Sequence, residues 1–302
     1  MIVAEVVRSG FVESVHHGIV AFTSGDGVGD VESPFFPRSS AKPLQTVGML
    51  NCGLVPRDEA DLALMCGSHD GERFHVERAR DILAAVGLGP EALRCTADLP
   101  LGSVTREAWL RAGGEAEPIL MNCSGKHAGM LATCVVNGWP LDSYLDPKHP
   151  LQVALAETVA ELAGEPVAAT GVDGCGAPVL AISPRGLALA FRRLVEAEPG
   201  SPERRVADAM RAFPALVAGT GTDDTVLMSA VPGLLVKKGA DGVAAAAMPG
   251  VGAVAVKISD GSARARTPVL LAALHRLGIA VPQMAEVILG GGRPVGEVRA
   301  VF

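Results

Sequence analysis

Aromatic side chains are scarce in this sequence: one Tyr and two Trp stand among 302 residues. With a formal net charge of −7, the chain offers neither the stacking platforms nor the positive field that nucleic acid binding requires. No apolar run approaches the ~18 residues of a membrane span. The opening stretch MIVAEVVRSG breaks its apolar run with Glu5 and Arg8, so it does not read as a signal peptide, and the expected compartment is the cytoplasm. There is no C-x-x-C pair: Cys52, Cys66, Cys95, Cys123, Cys134 and Cys175 lie scattered. Zinc-finger and redox spacings are therefore absent, and the plain reading of any one cysteine is a small buried hydrophobe. Lysine is also rare, supplying only six of the 26 basic residues. What remains is 49% hydrophobic and 20% charged, the balance of a globular chain with ample core.

The rarity of lysine draws attention to where it stands. Three of the six occur in small-residue stretches, SSAK ending at Lys42, CSGKH with Lys126, and KISDG beginning at Lys257. A serine hydroxyl becomes nucleophilic when a neighbouring base takes its proton. Ser39 and Lys42 are three residues apart, a spacing that puts both on one helix face. Pro43 lacks an N–H and so belongs in a first helical turn, which places Ser39 at or near the N-cap. There the helix dipole favours an alkoxide and disfavours an ammonium. The following proline disfavours the α conformation at Lys42, so that residue is expected slightly off helical geometry.

Periodicity divides the chain. Ala4–Val7 and Phe11–Phe22 read as a hairpin around Arg8-Ser9-Gly10, and Leu234–Val236, Val243–Met248, Ala253–Ile258 and Val298–Phe302 read as further strands. Between them, Ala79, Ile82, Leu83 and Val86 give a helical face ended by Gly87. Pro150 opens a second helix that Gly164 ends, and Ser201-Pro202 caps a third. Thr267-Pro268 is expected to open a helix closed by Gly278. The fold class expected is mixed, α+β or α/β: one catalytic domain over 1–302, its antiparallel sheet drawn from about 1–36 and 230–302 and its helices from about 38–230.

Three further stretches concentrate reactive side chains. MCGSHDGE puts Ser68 in a small-residue turn before a helix, and MNCSGKHAGM clusters Cys123, Lys126 and His127. The latter is no P-loop, since Leu120 and His127 stand where Gly and Ser or Thr are needed. GVDGCGAP holds Asp173 and Cys175 in a loop dense in glycine, as in tight turns or where a backbone must approach something closely.

Taken in order, VVRSGFVESVHHG, RSSAKPLQ, CGSHDGE, NCSGKHAGML, GVDGCGAP and VKISDG resemble the motifs of the asparaginase II family, the thermolabile rhizobial type, over essentially the whole chain. The resemblance implies a fold similar to serine β-lactamases and glutaminases, assembled as a homodimer. It implies two Ser–Lys pairs, Ser39 with Lys42 and Ser68 with Lys257, and one zinc per chain held by Cys123, Lys126 and Cys175, Lys126 taking the place chemistry would give His127. The expected reaction is hydrolysis of L-asparagine to aspartate and ammonia through an acyl-enzyme. Ser39 attacks, with Ser68 as the alternative nucleophile, while Arg38, His127 and Asp173 grip the α-carboxylate and α-ammonium. A glutaminase or penicillin-recognising hydrolase would share the serine–lysine pair but not the cysteine site. A non-catalytic metal or amino-acid binding protein would use Ser39 only as a cap.

Overall fold

Ser9 and Gly10 both take positive φ, 50° and 82°, the conformation that lets a two-residue turn follow the right-handed strand twist. In the computed structural model, which describes all 302 residues, that turn joins β1 (Ile2–Arg8) to β2 (Phe11–Phe22). The remaining strands are β3 (Ala169–Val172), β4 (Pro178–Ala181), β5 (Leu235–Lys238), β6 (Val243–Met248), β7 (Gly252–Ile258), β8 (Glu286–Gly290) and β9 (Arg293–Ala300). Seven of them form one sheet in the order β5-β6-β7-β2-β1-β9-β8, with β3 and β4 a separate hairpin. Every pairing in the large sheet is antiparallel. The C-terminal β9 lies against β1, and β7 against β2, so both chain ends build the sheet as expected. The strand β8 was not legible: its side chains are mostly exposed, and an edge strand without a buried face carries little alternation.

Eleven helices complete the chain. They are α1 (Lys42–Asn51), α2 (Glu59–Met65), α3 (Arg73–Ala84), α4 (Ser103–Arg111), α5 (Ser124–Asn137) and α6 (Pro150–Ala163), followed by α7 (Pro184–Glu196), α8 (Pro202–Ala212), α9 (Pro214–Val217), α10 (Asp223–Ala230) and α11 (Ala263–Arg276). None is long and apolar enough to cross a membrane. The helix α7 lies against β6 and β7. The run Ala244–Ala247 on β6 is fully buried, and such small side chains allow a helix to sit close to a sheet. A single cluster of 76 buried residues, from Val3 to Val298, joins sheet and helices. The helix expected to open at Thr267-Pro268 instead begins at Ala263 and carries Pro268 inside it. Ser262, not Thr267, precedes its first turn, and the Thr267 hydroxyl is taken up by Asp223 of α10.

The segment that presents Ser39 differs from the expected N-cap. Arg38–Ala41 form a 3₁₀ turn, and α1 starts only at Lys42, with Pro43 in its first turn. Lys42 is fully helical, φ −58° and ψ −39°, despite the proline that follows. The turn is pinned from two sides: Ser40 Oγ donates to the Lys237 carbonyl at 3.0 Å, and Arg38, at φ 51°, is held by Asp173 and Asp241. A non-glycine residue in that left-handed region costs about 1–3 kcal/mol.

Close approach of this turn to the β5–β6 hairpin requires glycine at 239. A Cβ there would lie 2.7 Å from the Pro37 carbonyl oxygen and 2.9 Å from Ser40 Oγ. Gly239→Ala is therefore expected to destabilise the fold by about 1–3 kcal/mol through overpacking. Gly174→Ala, whose added carbon meets only an Arg38 nitrogen at 3.9 Å, serves as the control and should be neutral within about 0.5 kcal/mol. Urea unfolding midpoints of the two variants compare them; equal midpoints would mean that the turn gives way without strain.

Candidate active site

Backbone partners place Ser68 before side chains do. Ser68 N donates to Val217 O and Asp70 N to Ala218 O, while His69 N turns the other way to Asn122 O. This alternation is that of an extended segment laid between two neighbours, and it puts Ser68 and Asp70 on one face and His69 on the other. His69 faces α5: its Nε2 meets Ser124 Oγ at 2.9 Å and its Nδ1 accepts from Gly71 N. A ring nitrogen that accepts a backbone N–H carries no proton, so His69 is neutral and donates to Ser124. Burial, and after it the proximity of His75 and Lys42, holds it well below the usual histidine range.

On the opposite face two amines converge on one hydroxyl. Lys42 Nζ lies 3.0 Å from Ser68 Oγ and also donates to the Gly67 carbonyl. Lys237 Nζ lies 3.2 Å from the same Oγ and donates to Lys238 O at 2.7 Å. Both lysines are buried, Lys237 completely. Burial pulls the Lys237 amine down to about 7, with Lys42 and Lys238 acting in the same direction against the attraction of Asp224. Asp224 is itself buried, 4.0 Å from Lys237 Nζ, and accepts from Lys238 N. A half-buried Ser39 shares with Ser68 a cavity of 230 Å³, completed by Leu101, Asn122, Lys238, Gly239, Ala240 and Arg266. The Ser39 hydroxyl has no hydrogen-bond partner within the protein, and Lys42 Nζ is hydrogen-bonded to Ser68.

The pairing of Ser68 with Lys257 does not form. Lys257 lies on β7, an inner strand of the sheet, and its Nζ donates to the backbone carbonyl of Asp241. Lys237 takes the position instead, because β5 is the edge strand that packs against α10 and the 3₁₀ turn. The three residues expected to grip substrate stand elsewhere. Arg38 Nε bonds Asp173 at 2.8 Å and its other arm Asp241, and His127 Nδ1 bonds the Tyr144 hydroxyl at 2.7 Å in full burial. None of Arg38, His127 and Asp173 lines the serine cavity.

The second constellation begins one residue beyond Asn122. Cys123 precedes α5, Lys126 lies in its first turn, and Cys175 arrives on the loop after β3; all three are buried. Lys126 Nζ is 3.3 Å from Cys175 Sγ, and Cys123 Sγ is 3.0 Å from Asn122 Oδ1. Each thiol acts on the ionisation of the other. The Cys123 thiol, and then Lys126 and His127, favour a thiolate at Cys175 and outweigh its burial, whereas that neighbour and burial drive Cys123 upward. One of the two therefore ionises readily. Burial opposes a charge on Lys126, but the Cys175 and Cys123 sulfurs and Asp173 outweigh it, giving a thiolate–ammonium pair. His127 Nε2 is buried without a hydrogen-bond partner. No three His, Cys, Asp or Glu side chains converge on one point, so a metal here would need lysine among its donors.

Sequence reasoning passed over Lys237, Lys238, Asp224, Asn122 and Arg266. A signal for Lys237 was present: two lysines end the apolar strand LLVKK, and a strand lysine bounded by buried neighbours has nowhere to place its charge.

A serine hydroxyl held between two buried amines, in a cavity that a second serine enters, is an arrangement of the serine-hydrolase kind. Comparison with known proteins gives the family: residues 4–300 match L-asparaginase II, and the chain belongs to that family. No curated protein matches it individually. Among solved structures it is similar to Mglu in its native form, at 16% identity over 86% of this chain and 64% of that one, with a TM-score of 0.45. It is also similar to Mglu in its tris and glutamate form, at 16% identity over 91% of this chain and 63% of that one, with a TM-score of 0.37. The chain thus spans a little under two thirds of the length of those structures.

The depressed Lys237 amine makes stability depend on pH. Its folded value is about 7 against an ordinary 10.5, so between these the unfolded chain binds more protons and stability rises with pH. The rise is on the order of 4–5 kcal/mol from about pH 7 to about pH 10. Lys237→Met should remove that increment, seen as a flatter pH dependence of urea unfolding in the variant. Parallel curves for the two proteins would show that Lys237 titrates normally.

Proposed function

We propose that the protein hydrolyses the side-chain amide of L-asparagine to aspartate and ammonia. The observation that carries this reading is the Ser68 hydroxyl bridging Lys42 and Lys237 beside Ser39. Ser39 is the attacking group: its hydroxyl is unengaged and opens on the cavity, whereas Ser68 is tied to two amines. Lys237, as the free amine, draws a proton from Lys42 through Ser68, and Lys42 so freed accepts the Ser39 proton as Oγ bonds to the amide carbon. Ser68 relays protons between Lys42 and Lys237, and one reaches the departing nitrogen as the C–N bond breaks. Water then attacks the acyl ester and frees Ser39. Lys237, near neutrality as a free amine, replaces Lys257 in the second pair. The likeness to serine β-lactamases and glutaminases belongs to the same proposal, supported by a sheet from both chain ends and a Ser-x-x-Lys at the first helix of the intervening region. One catalytic unit spanning the chain is supported by its continuous core. Homodimeric assembly belongs to the same proposal and rests on the resemblance.

Ammonia release from asparagine and glutamine, measured side by side, tests the reaction and its preference. Ser39→Ala should fall at least about a thousandfold while staying folded, as nucleophile deletions do. Ser68→Ala should lose about 10²–10³-fold, the range of a lost proton-transfer group. A Ser39→Ala enzyme retaining a tenth of the activity would transfer the attack to Ser68.

Zinc at Cys123, Lys126 and Cys175 is part of the same proposal, supported by the ready ionisation at Cys175 and the unpartnered His127 Nε2 alongside. When bound, the ion would supply a fixed positive charge that orients substrate, Ser39 already providing the nucleophile. The thiolate–ammonium pair is the form the chain takes alone, so binding would expel the Lys126 proton and that of Cys123. Zinc content should reach one per chain in wild type and drop sharply in Cys123→Ser and in Cys175→Ser. Stoichiometric metal in both variants would place the ion elsewhere.

A further inference from the structure

The serine cavity is lined by two cations and no acid. Lys238 and Arg266 are both half-buried, and neither enters an ion pair with any carboxylate of the chain. Arg266 Nη1 reaches only the Gly239 carbonyl, at 3.4 Å, and Lys238 Nζ has no hydrogen-bond acceptor. Most other basic side chains here do have one: Arg38, Arg57, Arg78, Arg204, Arg205 and Arg299 each face a carboxylate. Two unpaired cations in a concave site are destabilising until an anion arrives, and each then makes a charge-assisted hydrogen bond.

The acids of the neighbourhood are otherwise placed. Asp173 and Asp241 are both engaged by Arg38, and Asp224 is buried beside Lys237. Asp70 and Glu72 line a separate cavity of 350 Å³ with Gly102 and Ser103; Lys238 acts on the Asp70 carboxyl through space without forming an ion pair with it, and Glu72 is taken up by the Thr220 backbone and hydroxyl. A substrate ammonium therefore finds no counter-charge in the cavity of the two serines, whereas a carboxylate finds two.

Resting on the amidohydrolase reading above, we infer that Lys238 and Arg266 form a carboxylate-binding subsite, and that the substrate class is ω-amides of dicarboxylic acids, with or without an α-ammonium. Succinamate, which is asparagine without its ammonium, is then a substrate. Ser39 Oγ bonds to its amide carbon, the C–N bond breaks with the nitrogen leaving protonated as ammonia, and water cleaves the ester to succinate. Lys238 and Arg266 touch the far carboxylate and not the reacting atoms, so they set binding more than turnover.

Ammonia release is measured from asparagine, succinamate and asparagine methyl ester, the last keeping the ammonium but lacking the carboxylate charge. Wild type should handle succinamate with kcat/KM within about tenfold of asparagine and the ester at least about 100-fold worse, as loss of two ionic hydrogen bonds requires. Lys238→Met and Arg266→Met should each raise KM about tenfold for asparagine and succinamate alike with kcat little changed, and Lys238→Arg should restore most of the loss. Asparagine hydrolysis with succinamate more than tenfold slower, or an ester as good as asparagine, overturns the subsite and leaves the amidohydrolase reading standing. Failure of all three substrates overturns both. The wild-type substrate series decides the matter even where a variant does not fold.

Discussion

One oxygen organises this molecule. Ser68 Oγ lies 3.0 Å and 3.2 Å from two lysine nitrogens that are themselves buried. Two ammonium groups so close in a low-dielectric interior repel strongly. Lys237 is the amine that yields. The neighbouring architecture follows from keeping that arrangement. Ser68 is fixed by an extended backbone between Val217–Ala218 and Asn122. Lys42 is aimed by α1, and Lys237 by the edge of the sheet where Ser40 and Asp224 hold β5.

The second centre is tied to the first through the backbone. Asn122 lines the serine cavity, and Cys123 is its chain neighbour. His69 follows Ser68 and holds Ser124 at the start of α5, the helix that carries Lys126. Arg38 precedes Ser39 and holds Asp173 on the loop that carries Cys175. A change at the thiols therefore has two short covalent and hydrogen-bonded routes to the serines.

Much of the fold was legible because it rests on local signals. The Ser9-Gly10 turn, the glycines at 164 and 278 after helices, and Ser201-Pro202 all impose conformation on their own few residues, and each ends or begins an element as expected. Elements whose signals were weak were missed, such as the exposed strand β8 and α4, which has no buried residue. Proline favours a first helical turn, and local pattern therefore sets the start of α11 at Pro268. In the fold it lies inside a helix already begun at Ala263 and buried against the core.

The sequence by itself determined which chemistry was available: Ser39 three residues before Lys42, Ser68 in a small-residue turn, cysteines beside a lysine, and enough local order to carry them. Partnership was decided only by tertiary structure. Lys237 and Lys257 both end apolar strands and precede glycine-containing turns, so local pattern cannot rank them. Strand order ranks them, placing β5 at the edge against α10 and β7 inside the sheet. In the same way Arg38 reads as a free cation in sequence and is a doubly engaged one in the fold, while Lys238 and Arg266, unremarkable in sequence, are left facing the cavity without a counter-ion. Charge pairing depends on distances across the fold, and residues far apart in the chain acquire those distances only when it closes.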